Sequence, residues 1–185
     1  MVAVTASEFR SAHRLNSFPR RFWRVLCCAA PLIVVSVPGI ADELRPWGAE
    51  AVPTLSLDQL DGPVVDLTAL RGRPVIVHFF ATWCAPCIEE MASLNALATL
   101  RQGKITILAI NVGEVDARVR TFFRERPVSF PVLLDRDRRT MKAWRVEGLP
   151  ASFVLDRDLR PVWETSAPLE WTSPPVMRAL NELPQ

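Results

Sequence analysis

The chain has 185 residues, 49% hydrophobic and 23% charged, the balance of a folded protein with room for one ordinary domain and a leader. Its net charge of +2 averages two unlike parts: residues 1–41 carry five Arg and one acid, residues 42–185 carry 17 Arg or Lys and 19 acids. The body is therefore mildly acidic and has no Lys/Arg-rich run, which argues against nucleic acid as a partner.

At the N-terminus, Arg20, Arg21 and Arg24 precede the apolar run VLCCAAPLIVVSV, followed by PGIA and then Asp42 and Glu43. Basic, apolar and then small residues is the order of a secretory signal. The run is 13 residues long, short of the ~20 that a spanning helix requires, and Pro31 lies inside it. A signal cut after Ala41 and a retained membrane anchor both fit residues 1–41. Either one exports the body, residues 42–185. PRRFWR matches a twin-arginine signal poorly, and Cys28 lies too early in the run to be a lipidated cysteine.

In the body, TLSLDQL and PVVDLTAL flank Asp61-Gly62 and predict a hairpin. PVIVHFF has the continuous apolar, β-branched and aromatic character of a strand buried on both faces. WCAPC follows, then a helix to Gly103 whose Ile88, Met91, Leu94, Leu97 and Leu100 form its apolar stripe. ITILAINV is a second buried strand. VDARVRTFFRER is an amphipathic helix with Val115, Val119, Phe122 and Phe123 facing inward. FPVLLD, RRTMKAW, ASFVLD and PVWETS read as strand, helix, strand, strand, and PPVMRALNEL as a closing helix. The alternation predicts an α/β layer with an antiparallel edge.

Four cysteines are present, and two of them, Cys27 and Cys28, belong to the leader. The body keeps only Cys84 and Cys87. With His78 as its one histidine, it lacks the four ligands of a structural zinc site. No metal and no cofactor is expected. A static disulfide closing so short a loop would add little stability by the loop-entropy argument. A redox couple is the reading that survives.

Between a strand and a helix, Cys84 falls at the first helical turn, where unpaired N–H groups and the dipole favour a thiolate. Pro86 suits that turn, because its missing N–H had no intrahelical partner. Cys84 is then the attacking cysteine and Cys87, one turn on, the resolving one. Trp83 is read as docking surface or as rim packing. His78 is either a proton acceptor or donor for Cys87 or a hydrogen-bonded core histidine. Glu90 is a second candidate for tuning the same pKa, with solvated helix surface the favoured reading.

FFATWCAPC resembles the redox segment of thioredoxin-fold proteins, and GLPASFVLD resembles their cis-proline loop. The nearer resemblance, through AINVGE, FPVLLD and LEWTSPPV, is to the TlpA/ResA-type exported thiol–disulfide oxidoreductases, from about Thr54 onward. It implies a thioredoxin-like α/β fold: a central mixed sheet flanked by helices, an N-terminal β-hairpin and an extra strand–helix insert. It implies that Pro150 packs beside the cysteines and that Leu149 offers backbone groups to a bound polypeptide. Three residues depart from pattern: His78 replaces the buried acid of plain thioredoxins, Ala92 replaces a helix proline, and Ala85 puts no charge between the cysteines.

The function expected is reduction of protein disulfides, as in cytochrome c maturation or copper-site assembly, outside the cytoplasm. The setting is periplasmic, or tethered to the outer face of the inner membrane. Resemblance implies protein substrates and a membrane electron donor of the DsbD/CcdA type, since the exterior is oxidising. The alternatives are a disulfide oxidant working in the DsbA direction and a Cu(I)-binding module held by the two thiolates. A peroxidase is disfavoured, because an efficient peroxidatic cysteine needs a different loop.

Overall fold

The computed structural model describes residues 44–49 and 51–184. The leader expected at residues 1–41 lies outside the described residues. In chain order the elements are β1 (Arg45–Pro46), β2 (Ser56–Leu57), β3 (Val65–Asp66), β4 (Val75–Phe80), α1 (Ala85–Leu100) and β5 (Thr106–Val112). Then come α2 (Asp116–Glu125), β6 (Val132–Asp135), α3 (Arg139–Ala143), β7 (Ala151–Leu155), β8 (Pro161–Thr165) and α4 (Pro174–Asn181).

Six strands form one mixed sheet in the order β1-β8-β7-β4-β5-β6. β4, β5 and β6 run parallel, β7 pairs antiparallel with β4, and β8 pairs antiparallel with β7. This is the mixed sheet expected from the alternating pattern. β6, led into by α2, extends the sheet beyond β5 and is the expected insert. Every residue of β4 is buried, as a strand covered on both faces requires.

Alternation along β4 sorts the core. Ile76 and Phe80 join a cluster with Cys84, Cys87, Met91, Leu94 and Leu97, whereas Val75, Val77 and Phe79 join Trp144 and Phe153 on the opposite face. His78 lies on the first of these faces, toward α1.

Several local expectations are corrected. The hairpin forms, but each strand is two residues long and pairs Ser56 with Asp66 and Leu57 with Val65. Leu67–Leu70 is a 3-10 turn rather than strand, started by Asp66, whose carboxylate accepts from the Thr68 N–H at 2.8 Å. The residues between β2 and Asp61 turn away to β6 instead: Gln59 bridges Leu133, Leu60 N–H donates to Val132 O at 2.8 Å, and Leu134 N–H donates to Asp58 O at 3.0 Å. On α1, Leu100 is 64% exposed. A three-residue spacing lags the 3.6-residue turn, so a stripe drawn that way drifts off the core within four steps. The buried set is Cys87, Glu90, Met91, Ser93, Leu94 and Leu97. Val115 is 68% exposed, because it precedes α2 as its N-cap; Val119 holds the core position of that helix.

Candidate active site

β4 ends at Phe80 and the chain enters α1 through Ala81–Cys84. The Cys84 N–H closes a turn onto Ala81 O at 3.1 Å, and Cys84 O accepts the Ile88 N–H at 3.1 Å, so Cys84 is the N-cap of α1. Its side chain makes no capping bond, which leaves the sulfur beside the open N–H groups of the first turn. Cys84 and Cys87 are joined in a disulfide, with Cα atoms 5.3 Å apart. Cys84 is 5% exposed and Cys87 fully buried, so the little surface the pair offers belongs to Cys84. Trp83 stands out at 66% exposure, on the surface of the loop rather than packed under it.

The second wall comes from β7. Its first residue, Ala151, pairs with Phe79 of β4, and the Leu149–Pro150 bond just before it is cis. Pro150 therefore stands at the sheet end from which β4 runs into the redox loop. Leu149 packs against the core cluster that holds both cysteines.

Beneath the disulfide lies a buried polar group. His78 and Ser152 are directly opposite in the β4–β7 register, and His78 Nδ1 is 2.9 Å from Ser152 Oγ. Glu90, one turn beyond Cys87, is buried. This corrects the solvated-surface reading: Trp171, fully buried, donates its Nε1–H to Glu90 Oε1 at 2.6 Å and closes that face of α1. Ser93 fixes the same chain segment, donating to Leu169 O at 3.3 Å and accepting from Trp171 N–H at 3.2 Å.

His78 Nδ1 and Glu90 Oε1 are 3.8 Å apart, yet they are not an ion pair. Desolvation lowers the His78 pKa from 6.5 to about 3, so the ring is neutral. Desolvation also raises Glu90 from 4.5 to about 8; hydrogen bonds from Trp171 and from the backbone at Leu169 offset part of the rise. Near neutral pH the pair holds one proton, on the carboxyl. His78 Nε2 and Glu90 Oε2 are buried without a hydrogen-bond partner.

A helix N-terminus bearing two cysteines one turn apart, a cis-proline beside it and a buried acid below is an arrangement for thiol–disulfide exchange. A family model for AhpC/TSA proteins matches residues 49–160. The chain belongs to the AhpC/TSA family. Among curated members it is similar to the thiol-disulfide oxidoreductase ResA of Bacillus subtilis (strain 168), 32% identical over 133 residues, 71% of this chain and 74% of that protein. ResA of Bacillus thuringiensis subsp. konkukian is 30% identical over 141 residues, 76% of this chain and 81% of the relative. Among solved structures, a thioredoxin-family thiol:disulfide interchange protein from Chlorobium tepidum TLS superposes with TM-score 0.63 at 25% identity, covering 75% of this chain and 99% of that one. A DsbF homologue from Corynebacterium diphtheriae gives TM-score 0.68 at 21% identity, covering 80% and 96%. The protein is thus a thiol–disulfide oxidoreductase with the thioredoxin-like fold.

Three members of this environment lie in segments that carry the resemblance, yet no role could be read for them there. Ser152 and Trp171 act on residues 74 and 81 positions away in the chain. Glu114, in the segment AINVGE, is nearly buried between β5 and α2. An acid placed between an apolar strand and a helix was the only signal for it.

Proposed function

We propose that the protein is an exported reductase of protein disulfides, with Cys84 attacking and Cys87 resolving. The Cys84 thiolate attacks one sulfur of the substrate disulfide; a mixed disulfide forms and the other substrate sulfur leaves as a thiolate, which takes a proton. Cys87 then loses its proton and attacks the Cys84 sulfur, releasing the second substrate thiol and leaving Cys84–Cys87 oxidised. Glu90 and His78 tune that proton transfer: Glu90, protonated near neutral pH, accepts the Cys87 proton once its own has left, beside a neutral His78 that Ser152 holds. Trp83 docks the substrate, and Leu149 and Pro150 flank its chain, with Leu149 offering backbone groups as in strand addition.

The observation that carries the reducing direction is the charge around the pair. Strong oxidants of this chemistry stabilise the reduced form through a low-pKa thiolate. Here the titratable groups below the cysteines are a neutral histidine and an acid, so the helix N-terminus supports the thiolate without a cation beside it. Disulfides formed in substrates such as apocytochrome c or a copper-site assembly protein fit such a couple. Electrons then come from a membrane donor of the DsbD/CcdA type. Export rests on the leader of residues 1–41, in the periplasm or on the outer face of the inner membrane. Among the described residues no helix is long and apolar enough to cross a membrane.

Equilibrating Cys84/Cys87 with defined thiol buffers tests the direction. A potential near or below about −270 mV, thioredoxin's value, supports the reductase; one near about −120 mV, DsbA's value, makes the protein a disulfide donor instead.

A further inference from the structure

The redox loop has a second anchor, at the corner between β5 and α2. Thr82, two residues before Cys84, donates its N–H to Glu114 Oε2 at 2.6 Å and its hydroxyl to Glu114 Oε1 at 2.6 Å. Asn111, at the end of β5, donates its Nδ2–H to Glu114 Oε2 at 2.7 Å. Three donors thus converge on one nearly buried carboxyl group, and the guanidinium of Arg118 lies at its outer edge, 4.0 Å from Oε1. The chain reaches Glu114 through Gly113, whose φ of +68° is in the left-handed region, and whose place a Cβ would fill 2.3 Å from Arg138 Nε. The β5–α2 corner is therefore shaped to put this acid under Thr82.

The residues that follow the two ends of this joint are Trp83 and Val115. At 66% and 68% exposure they are two of four strongly exposed large hydrophobic side chains among the described residues. One follows Thr82 and the other follows Glu114, so the hydrogen bonds between those two residues join the two loops that carry them. Cys84 itself offers little surface, so a polypeptide that brings a disulfide to the sulfur also meets Trp83, its exposed neighbour in the chain.

We infer that Glu114 is a positioning residue for the redox site: through Thr82 it locks the loop carrying Trp83 and Cys84 to the β5–α2 corner, and so makes Trp83 and Val115 one apolar docking rim for the substrate polypeptide. The occupant is an extended segment of the substrate with apolar side chains next to its disulfide. This rests on the protein-disulfide reading above.

The test compares two disulfides, insulin and oxidised glutathione, with the reduced full-length protein. In E114A, kcat/KM for insulin falls about tenfold or more, chiefly through KM, because loss of the rim misplaces a large substrate; glutathione disulfide, which has no segment to dock, changes less than about threefold. E114Q stays within about threefold of wild type on both, since its carbonyl accepts from the Thr82 N–H and Asn111 while its amide donates to the Thr82 hydroxyl. If E114A does not fold, T82V takes its place: the insulin-selective loss is expected there, with T82S restoring wild-type rates. E114A or T82V matching wild type on insulin overturns the assignment. Equal losses on both disulfides, with no rescue by E114Q or T82S, overturn it too. If wild type reduces neither disulfide, the protein-reductase reading falls and the docking rim falls with it.

Discussion

Replacing Glu90 with glutamine should change the pH profile of stability in a way whose sign is set by burial. The Glu90 carboxyl has a folded pKa of about 8 against an ordinary value of 4.5. Between those limits the unfolded chain has released the proton and the folded chain keeps it, so this group's contribution falls as pH rises, by about 1.4 kcal/mol per unit. His78 works in the opposite sense. Its pKa is lowered from 6.5 to about 3, so its contribution is lost as pH falls through that window. The two slopes cancel between about pH 4.5 and 6.5, where the pair in either state holds one proton in all. The wild-type contribution is a plateau there and declines on both sides. In E90Q the acid's part is gone. Stability of wild type relative to E90Q then falls by roughly 3 kcal/mol from pH 5.5 to 7.5, two units at one proton each. Urea unfolding of the oxidised proteins, followed by circular dichroism at both pH values, measures it. A difference between the two proteins that does not move with pH would show that Glu90 ionises as an exposed acid does, and the argument from burial would fail.

The remaining predictions concern the same region. Trp171→Phe removes the donor to Glu90 Oε1 and should raise the carboxyl's midpoint further, since that hydrogen bond now lowers it; the cost is about 1–3 kcal/mol, read as a changed pH profile and a lower urea midpoint. Ser152→Ala frees His78 Nδ1 inside the core and should cost about 1 kcal/mol or more, with chemical shifts of the His78 ring reporting a changed tautomer balance. Cys87→Ser should trap the mixed disulfide on Cys84, visible by mass spectrometry, while Cys84→Ser should form none. Leu94→Ala, in the fully buried centre of α1, should cost about 2–5 kcal/mol in denaturant unfolding without altering which cysteine reacts.

How much of this was legible in the sequence depended on range. β4 and β5 announce themselves, because a strand covered on both faces must be apolar throughout. WCAPC carries its expected chemistry in adjacent residues, whereas Pro150 was singled out through the resemblance alone. Glu90 was misjudged because an acid on a helix is ordinarily solvated; what buries it is Trp171, which arrives from the far end of the chain. Val115 was misjudged because an apolar residue just before an amphipathic helix fits the inward pattern, yet the N-cap lies outside the helical stripe. Ser152 opposite His78, and Thr82 over Glu114, depend on strand register and loop closure, and no short window contains either pair.

The segment ahead of β4 has a role that its short strands understate. At one border of the sheet, Arg45 and Pro46 lie along β8, with Trp47 N–H donating to Val162 O at 3.0 Å; at the other, Asp58 to Leu60 lie along β6. One stretch of chain thus shields both open edges, whose unpaired backbone groups would otherwise recruit strands from neighbouring molecules. On the protein-substrate reading proposed above, that protection keeps an extended client from adding a strand to β8 or β6.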